Sequence, residues 1–117
     1  MVATTQILKK LRLLQELIGE EEVGDEVMEV TISKLLSYEI EKLRGRQNQM
    51  GERLTAFEAR YDLKTEEFVR KFREGTLGDA MDFFEWAALA DMYHECSQRL
   101  AEAERVCHEY SGPVAPQ

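Results

Sequence analysis

Side chains able to carry chemistry are few in this sequence and are concentrated towards its C-terminal end. The residues of the types that bind metals or act as nucleophiles and bases there are Asp91, His94, Cys96, Cys107 and His108. Their spacing contains neither the C-x-x-C pair nor the H-x-x-x-H pair of zinc proteins. Asp91-x-x-His94 is the nearest match to the Glu-x-x-His pairs of di-iron bundles, which need two such pairs. We therefore expect no metal and no cofactor.

A catalytic pair is equally poorly supported. Cys107 and His108 are sequence neighbours, so on a helix their side chains point about 100° apart and cannot act together. The segment from Gly75 to Gly78 is too short for a phosphate-binding loop and lacks the lysine that would follow it. An enzyme would have to gather acids or histidines from two subunits. We therefore predict no catalytic residue and a protein that is not an enzyme.

The elements that position these residues are two long helices. In two stretches, apolar residues recur at alternating steps of four and three, which places them on one stripe of an α-helix. The first stripe contains Leu36, Ile40, Leu43, Met50, Leu54, Phe57 and Tyr61, with Gln47 in its one polar slot. The second contains Trp86, Leu89, Tyr93, Cys96, Leu100, Ala103, Cys107 and Tyr110. The fold class predicted is all-α, with an antiparallel coiled-coil hairpin.

The rest of the chain extends this hairpin within one helical domain over residues 1–117. The predicted parts are an N-terminal helix at 4–18, an acidic linker at 19–29, the hairpin at 30–110 and a disordered tail at 111–117. A short tip helix at 65–74, capped by Thr65, interrupts the hairpin. Two points stay open: the β-branched run at 27–32 also suits a short extended piece, and the glycines at 45 and 51 also suit a hinge.

The charge and cysteine content narrow the function classes. The 117-residue chain has a net charge of −8, which disfavours nucleic-acid binding because that binding depends on a basic surface. Cys96 and Cys107 would lie about 16 Å apart on one helix, too far for a disulfide. We therefore predict reduced thiols in a cytoplasmic protein. The sequence contains no run of eighteen apolar residues, so we predict no membrane span.

Two clusters are candidates for binding a partner. The acidic patch contains Glu20, Glu21, Glu22, Asp25 and Glu26, and it is either a solvated linker or a docking site for a basic protein. The tip cluster contains Asp79, Asp82, Phe83, Phe84, Glu85 and Trp86. Its acids suit the N-terminus of the last helix, where Arg70, Lys71 and Arg73 could pair with them, and its aromatic residues suit packing under the tip helix. The alternative is a protein-recognition tip.

A lone hairpin leaves the flanks of both stripes exposed to water. The N-terminal helix and the tip helix can cover only part of these flanks. We therefore expect two hairpins to associate into a bundle, which would make the protein a homodimer.

Three segments resemble a family of small uncharacterised all-α proteins of bacteria and archaea. Residues 56–61 read A-F-E-A-R-Y, residues 66–72 read E-E-F-V-R-K-F, and residues 78–89 read G-D-A-M-D-F-F-E-W-A-A-L. The family pattern is close to F-E-x-R/K-Y, S-x-E-E-F and G-D-D-x-D-F-x-E-W, and the resemblance covers about residues 30–104. The chain departs from it at Lys64, where the family has a capping serine, and at Ala80, where an acid is common.

The resemblance implies an antitoxin-like protein that binds a small toxin-like partner and has no catalytic role. We therefore predict a protein–protein interaction module, the antitoxin of a toxin–antitoxin pair, with a basic toxin-like protein as partner. The alternative is a nucleic-acid-associated regulator that uses an arginine-bearing side of the long helix. That side would present Arg44, Arg46, Arg53 and Arg60.

Overall fold

The computed structural model describes residues 1–111 and is all-α over that range, with no strand. Its four helices are Thr4–Gly19 (α1), Glu26–Tyr61 (α2), Thr65–Glu74 (α3) and Met81–Ser111 (α4). The chain divides into two compact units, Met1–Leu35 and Leu36–Gln117. Ser111 is the last residue of α4, and the rest of the predicted disordered tail lies outside the described residues.

In the second unit, α2 and α4 pack side by side in opposite directions. Arg60 Nη1 contacts Asp82 Oδ2 at 2.8 Å, whereas Arg44 Nη2, sixteen residues earlier, contacts Glu104 Oε2 at 2.6 Å. Residue numbers therefore rise along α2 as they fall along the facing α4. This order confirms the predicted antiparallel hairpin.

The two predicted stripes form the interface between these helices. Every residue of the first stripe is buried or half-buried. In the second stripe only Tyr110, which is 68% exposed, lies outside the packed surface. Gln47, the polar residue of the first stripe, donates a hydrogen bond from Nε2 to Ser97 Oγ at 3.0 Å. That bond satisfies the amide in a partly buried place, as a polar group between packed helices requires.

The part of α2 around Gly45 and Gly51 is helical. The helix continues through Gly45 and Gly51 without interruption, so the described structure contains no hinge there. Gly45 is exposed, and a Cβ atom added to it would meet nothing within 4 Å. At Gly51 an added Cβ atom would lie 3.5 Å from Tyr93 Cε1, which is an ordinary contact distance.

Helix α3 is the short helix between the two long ones and has the bounds of the predicted tip helix. It ends at Gly75, whose φ of 75° is left-handed. The Gly75 N–H donates to the carbonyl oxygen of Phe72 at 3.1 Å, and the Thr76 N–H donates to that of Lys71 at 3.2 Å. This C-terminal cap favours glycine because the left-handed region costs other residues about 1 kcal/mol or more.

In the first unit, α2 begins earlier than the predicted hairpin. It starts at Glu26, so the last four residues of the predicted acidic linker are helical, as is the β-branched run at 27–32. Asp25 explains the early start, because its Oδ1 accepts the N–H groups of Val27 at 2.7 Å and Met28 at 3.2 Å. This is the hydrogen bonding of an aspartate N-cap.

Helix α1 also belongs to the first unit and extends one residue beyond its predicted end. It buries none of its residues. No helix within residues 1–111 is long and apolar enough to cross a membrane.

Candidate protein-binding surface

The core of the second unit is centred on Trp86 near the start of α4. The indole is fully buried and stacks on Phe68 of α3, with ring centroids 3.9 Å apart and planes inclined by 2°. Phe57 of α2 stacks on the same indole with a centroid distance of 5.4 Å. Leu54 and Leu89 complete the buried cluster. Trp86, a residue of the tip cluster, therefore joins α4 to α2 and α3.

A polar chain fastens this core to the start of α3. Trp86 Nε1 donates to Thr65 Oγ1 at 3.1 Å, and the Thr65 N–H donates to Glu58 Oε2 of α2 at 2.9 Å. Lys64 occupies the N-cap position and makes no side-chain capping bond. The prediction that Thr65 caps α3 is therefore wrong. The capping carboxylate comes from Glu58, and Thr65 accepts the indole N–H.

The pKa of Glu58 reflects this position. Partial burial alone would raise the pKa of the carboxyl group. The hydrogen bonds from Thr65 and the nearby charge of Lys64 act in the opposite direction and together lower the pKa below its ordinary value. The ionised form of Glu58 is thus the form that the fold stabilises.

Asp82 connects α4 to the end of α2. Its Oδ2 accepts hydrogen bonds from the Tyr61 hydroxyl at 2.6 Å and from Arg60 Nη1 at 2.8 Å. The bond from Tyr61 and then that from Arg60 lower the pKa of Asp82, while the same carboxylate raises the pKa of Tyr61. Asp82 therefore has a structural role.

The arginines that pair with the tip acids come from α2. Besides the Arg60–Asp82 pair, Arg53 Nη2 lies 3.3 Å from Glu85 Oε2. Arg70, which was expected to pair with the tip acids, instead contacts Glu67 and Glu74 within α3. The ion pairs of Asp82 and Glu85 are therefore formed with α2, and those of Arg70 are formed within α3.

The structure therefore separates the six predicted tip residues into two groups. Trp86 is buried, and Asp82 and Phe83 are half-buried in contact with the other helices. The exposed residues are Asp79, Phe84 and Glu85. Only this second group is available to a partner.

Phe84 belongs to a second apolar stripe of α4, which contacts α3 through the edge-on Phe84–Phe72 ring pair and borders α2 at Met92. We name it the outer stripe; it consists of Met81, Phe84, Ala88 and Met92. The spacing of three, four and four residues places all four side chains on one face of the helix. Met81 is 81% exposed, Phe84 53% and Met92 49%. Sequence reasoning missed this stripe, although its spacing was readable, because the stronger stripe beginning at Trp86 overlaps it.

Acidic residues surround the outer stripe. Over residues 81–98 the acids of α4 are Asp82, Glu85, Asp91 and Glu95, and this stretch contains no lysine or arginine. Asp91 makes no ion pair within residues 1–111, and Glu95 pairs with Arg99 at 3.1 Å. The outer stripe is therefore an apolar strip beside four acids of α4, three of which are paired with arginines and one of which, Asp91, is not paired within the described residues.

The predicted acidic patch lies in the first unit. Glu20, Glu21, Glu22, Asp25 and Glu26 are all exposed. Asp25 is used as the N-cap of α2, and Glu26 and Glu29 occupy the first turn of that helix, where negative charge is favourable. These contacts give at least part of the patch a structural role.

The residue types considered for metal or redox chemistry are dispersed. Within residues 1–111, no three or more His, Cys, Asp or Glu side chains are close enough to share a metal ion. Cys96 and Cys107 are free thiols, and the buried Cys96 contacts the carbonyl oxygen of Leu43 at 3.5 Å.

Comparison with known proteins adds no relative. No family model, no curated protein and no solved structure matches the chain at a significant level. The resemblance to the small antitoxin-like family stays a prediction.

Proposed function

We propose that this protein is a non-enzymatic protein-binding module and that the outer stripe of α4 binds its partner. The observation that carries this proposal is the exposure of Met81, Phe84 and Met92 in one row on a helix whose other face is packed. Exposed apolar rows with a polar border are typical of protein interaction sites. The proposal transfers the predicted recognition role from the whole tip cluster to its exposed members.

The shape and charge of the outer stripe favour a basic amphipathic helix as partner. A row of about three helical turns suits a helix that presents apolar anchors at matching intervals. Lysine or arginine beside those anchors would lie near Asp91, Glu85 and Glu95. Exposed ion pairs such as Arg53–Glu85 contribute little to stability, so these carboxylates can exchange partners at low cost. The net charge of −8 also attracts a basic protein over a distance.

We further propose the predicted biological setting: an antitoxin that acts in the cytoplasm as a homodimer and neutralises a basic toxin. The acidic balance and the sequence resemblance support this proposal. A homodimer would present two outer stripes and would therefore bind two partner molecules or a dimeric partner.

The alternative, nucleic-acid binding by the arginines of α2, is less well supported. Arg44, Arg53 and Arg60 each pair with an acid of α4, so much of their charge is already balanced. Strong retention on nucleic acid at low salt that falls steeply at moderate salt would favour the alternative. No retention at low salt would exclude it.

The binding proposal can be tested with a defined probe. The probe is a fluorescein-labelled 14-residue amphipathic helix of leucine and lysine, and a leucine–glutamate peptide of the same pattern is its control. Fluorescence anisotropy should show binding of the basic peptide and at least tenfold weaker binding of the acidic one. Phe84→Glu and Met92→Glu should each weaken binding of the basic peptide at least tenfold. Val27→Glu, which places the same charge at a residue 74% exposed on α2, should have no effect.

Equal binding of both peptides, or equal binding by the wild type and both α4 variants, would contradict the proposal. The antitoxin role has a separate test in co-expression with the product of a short, basic neighbouring reading frame. A stable complex that Met92→Glu disrupts would support that role. Failure to form any complex would remove the antitoxin role while leaving the peptide result to decide the binding role.

A further inference from the structure

Helix α1 carries an apolar surface that its own unit does not cover. Its 16 residues include none that are buried, and Ile7 is 46%, Leu8 51% and Leu17 51% exposed. A helix of this length is only marginally stable in water by itself. An apolar face on such a helix is a surface that needs a partner.

The sequence of α1 is nearly symmetric about the point between Arg12 and Leu13. Of the six pairs equidistant from that point over residues 7–18, four are related: Ile7 with Ile18, Leu8 with Leu17, Leu11 with Leu14, and Lys9 with Glu16. The other two, Lys10 with Gln15 and Arg12 with Leu13, are not. The apolar pairs are identical in type, and the charged pair has opposite signs. A helix whose apolar residues have the same spacing in both directions fits a second copy of itself placed antiparallel about a two-fold axis, since each apolar contact then occurs twice.

The charge distribution selects the antiparallel direction. Lys9, Lys10 and Arg12 give the first half of α1 a positive charge, whereas the acids at Glu16 and 20–22 make its end negative. Antiparallel pairing brings each basic half beside the acidic end of the other copy. Parallel pairing would place the three basic residues beside their own counterparts, where like charges repel.

We propose that α1 pairs with α1 of a second copy in an antiparallel arrangement whose two-fold axis passes between Arg12 and Leu13. This inference rests on the proposed homodimer and places its interface on α1, in place of the association of two hairpins expected from the sequence. Leu11 of one copy lies beside Leu14 of the other at the centre, and Ile7 lies beside Ile18 at each end. A helix of 16 residues is about 24 Å long, so the interface is at the small end of specific interfaces and the dimer should form in the micromolar range.

The test measures the mass of the full chain by sedimentation from about 1 to 100 µM, the range expected for a small interface. The wild type should change from monomer to dimer as its concentration rises. Leu14→Glu, at the centre of the interface, should remain a monomer. Leu13→Glu is the matched control, because Leu13 is 55% exposed and lies about 130° from the centre of the apolar stripe. It should dimerise like the wild type.

The antiparallel direction of α1 pairing is tested by disulfide cross-linking, in a Cys107→Ser background that removes this free thiol. A mixture of Ile7→Cys and Ile18→Cys chains should form a mixed disulfide, whereas Ile7→Cys alone should not cross-link. Binding of the leucine–lysine peptide should be unchanged in Leu14→Glu, because the outer stripe lies on α4 and the substitution lies on α1.

The outcomes separate the inference from the proposals on which it rests. A wild type that stays monomeric at 100 µM overturns both the homodimer and this interface. A dimer that persists in Leu14→Glu overturns the interface alone, and cross-linking of Ile7→Cys with itself overturns the antiparallel direction. Loss of peptide binding in Phe84→Glu with normal dimerisation leaves the interface supported.

Discussion

The indole ring of Trp86 lies face to face with the phenyl ring of Phe68, and both side chains are fully buried. This contact joins α4 to α3, and Phe57 of α2 stacks on the same indole. Because this one side chain of α4 contacts both α3 and α2, it determines how the short helix α3 packs on the hairpin. The stability of the unit should therefore depend on Trp86 more than on any surface ion pair.

Trp86→Ala should lower the free energy of unfolding by about 3–5 kcal/mol, since it removes a fully buried aromatic ring and leaves a cavity. Urea unfolding followed by far-ultraviolet circular dichroism measures this change. Trp86→Phe keeps a ring between Phe57 and Phe68 and should cost clearly less. An alanine variant within 1 kcal/mol of the wild type would contradict the central role of this residue.

Thr65→Val should be destabilising because it removes the acceptor of the indole N–H. A buried donor left without a partner costs about 1–3 kcal/mol. Thr65→Ser retains the hydroxyl group and is the matched control, expected within about 0.5 kcal/mol of the wild type. In a Trp86→Phe background the valine substitution should cost less, because no indole N–H remains to be satisfied. Equal costs in the two backgrounds would show that the hydrogen bond contributes nothing.

The sequence was sufficient to predict the helical hairpin and insufficient to predict the exposed outer stripe of α4. The stripes through Leu54 and Trp86 were predictable because helical periodicity and burial coincide there. The cap of α3 was not predictable, since Glu58 reaches Thr65 across a turn and its role depends on three-dimensional proximity. The division of the tip cluster into buried and exposed residues was not predictable either, because residues as close in sequence as Phe84 and Trp86 point to opposite sides of α4.

The pH dependence of stability should contain a contribution from Glu58. Its pKa is lower in the folded protein than its ordinary value of 4.5, so the ionised carboxylate stabilises the fold. This contribution is fully present above about pH 4.5 and is lost as the pH falls through the lower, folded pKa. Glu58→Gln should cost about 1 kcal/mol at pH 7, as loss of a cap does, and should flatten the acid limb of a stability–pH curve.

The matched control for Glu58 is Glu66→Gln, which removes an exposed carboxylate from the first turn of α3, the helix that Glu58 caps. It should cost less stability at pH 7 than Glu58→Gln, because Glu66 is exposed. Urea midpoints measured between pH 3 and pH 7 would compare the two variants. An acid limb of unchanged steepness in Glu58→Gln would show that the capping bond does not stabilise the folded state.

Gly45→Ala should stabilise the second unit by about 0.5–1 kcal/mol, because alanine restricts the unfolded chain and favours the helix. The added methyl group meets no atom within 4 Å, so no steric cost opposes the gain. Gly75→Ala is the contrasting control: its φ of 75° is left-handed, and alanine there should cost about 1–2 kcal/mol. A destabilising Gly45→Ala would instead indicate a hinge at Gly45 in solution, where the structure has continuous helix.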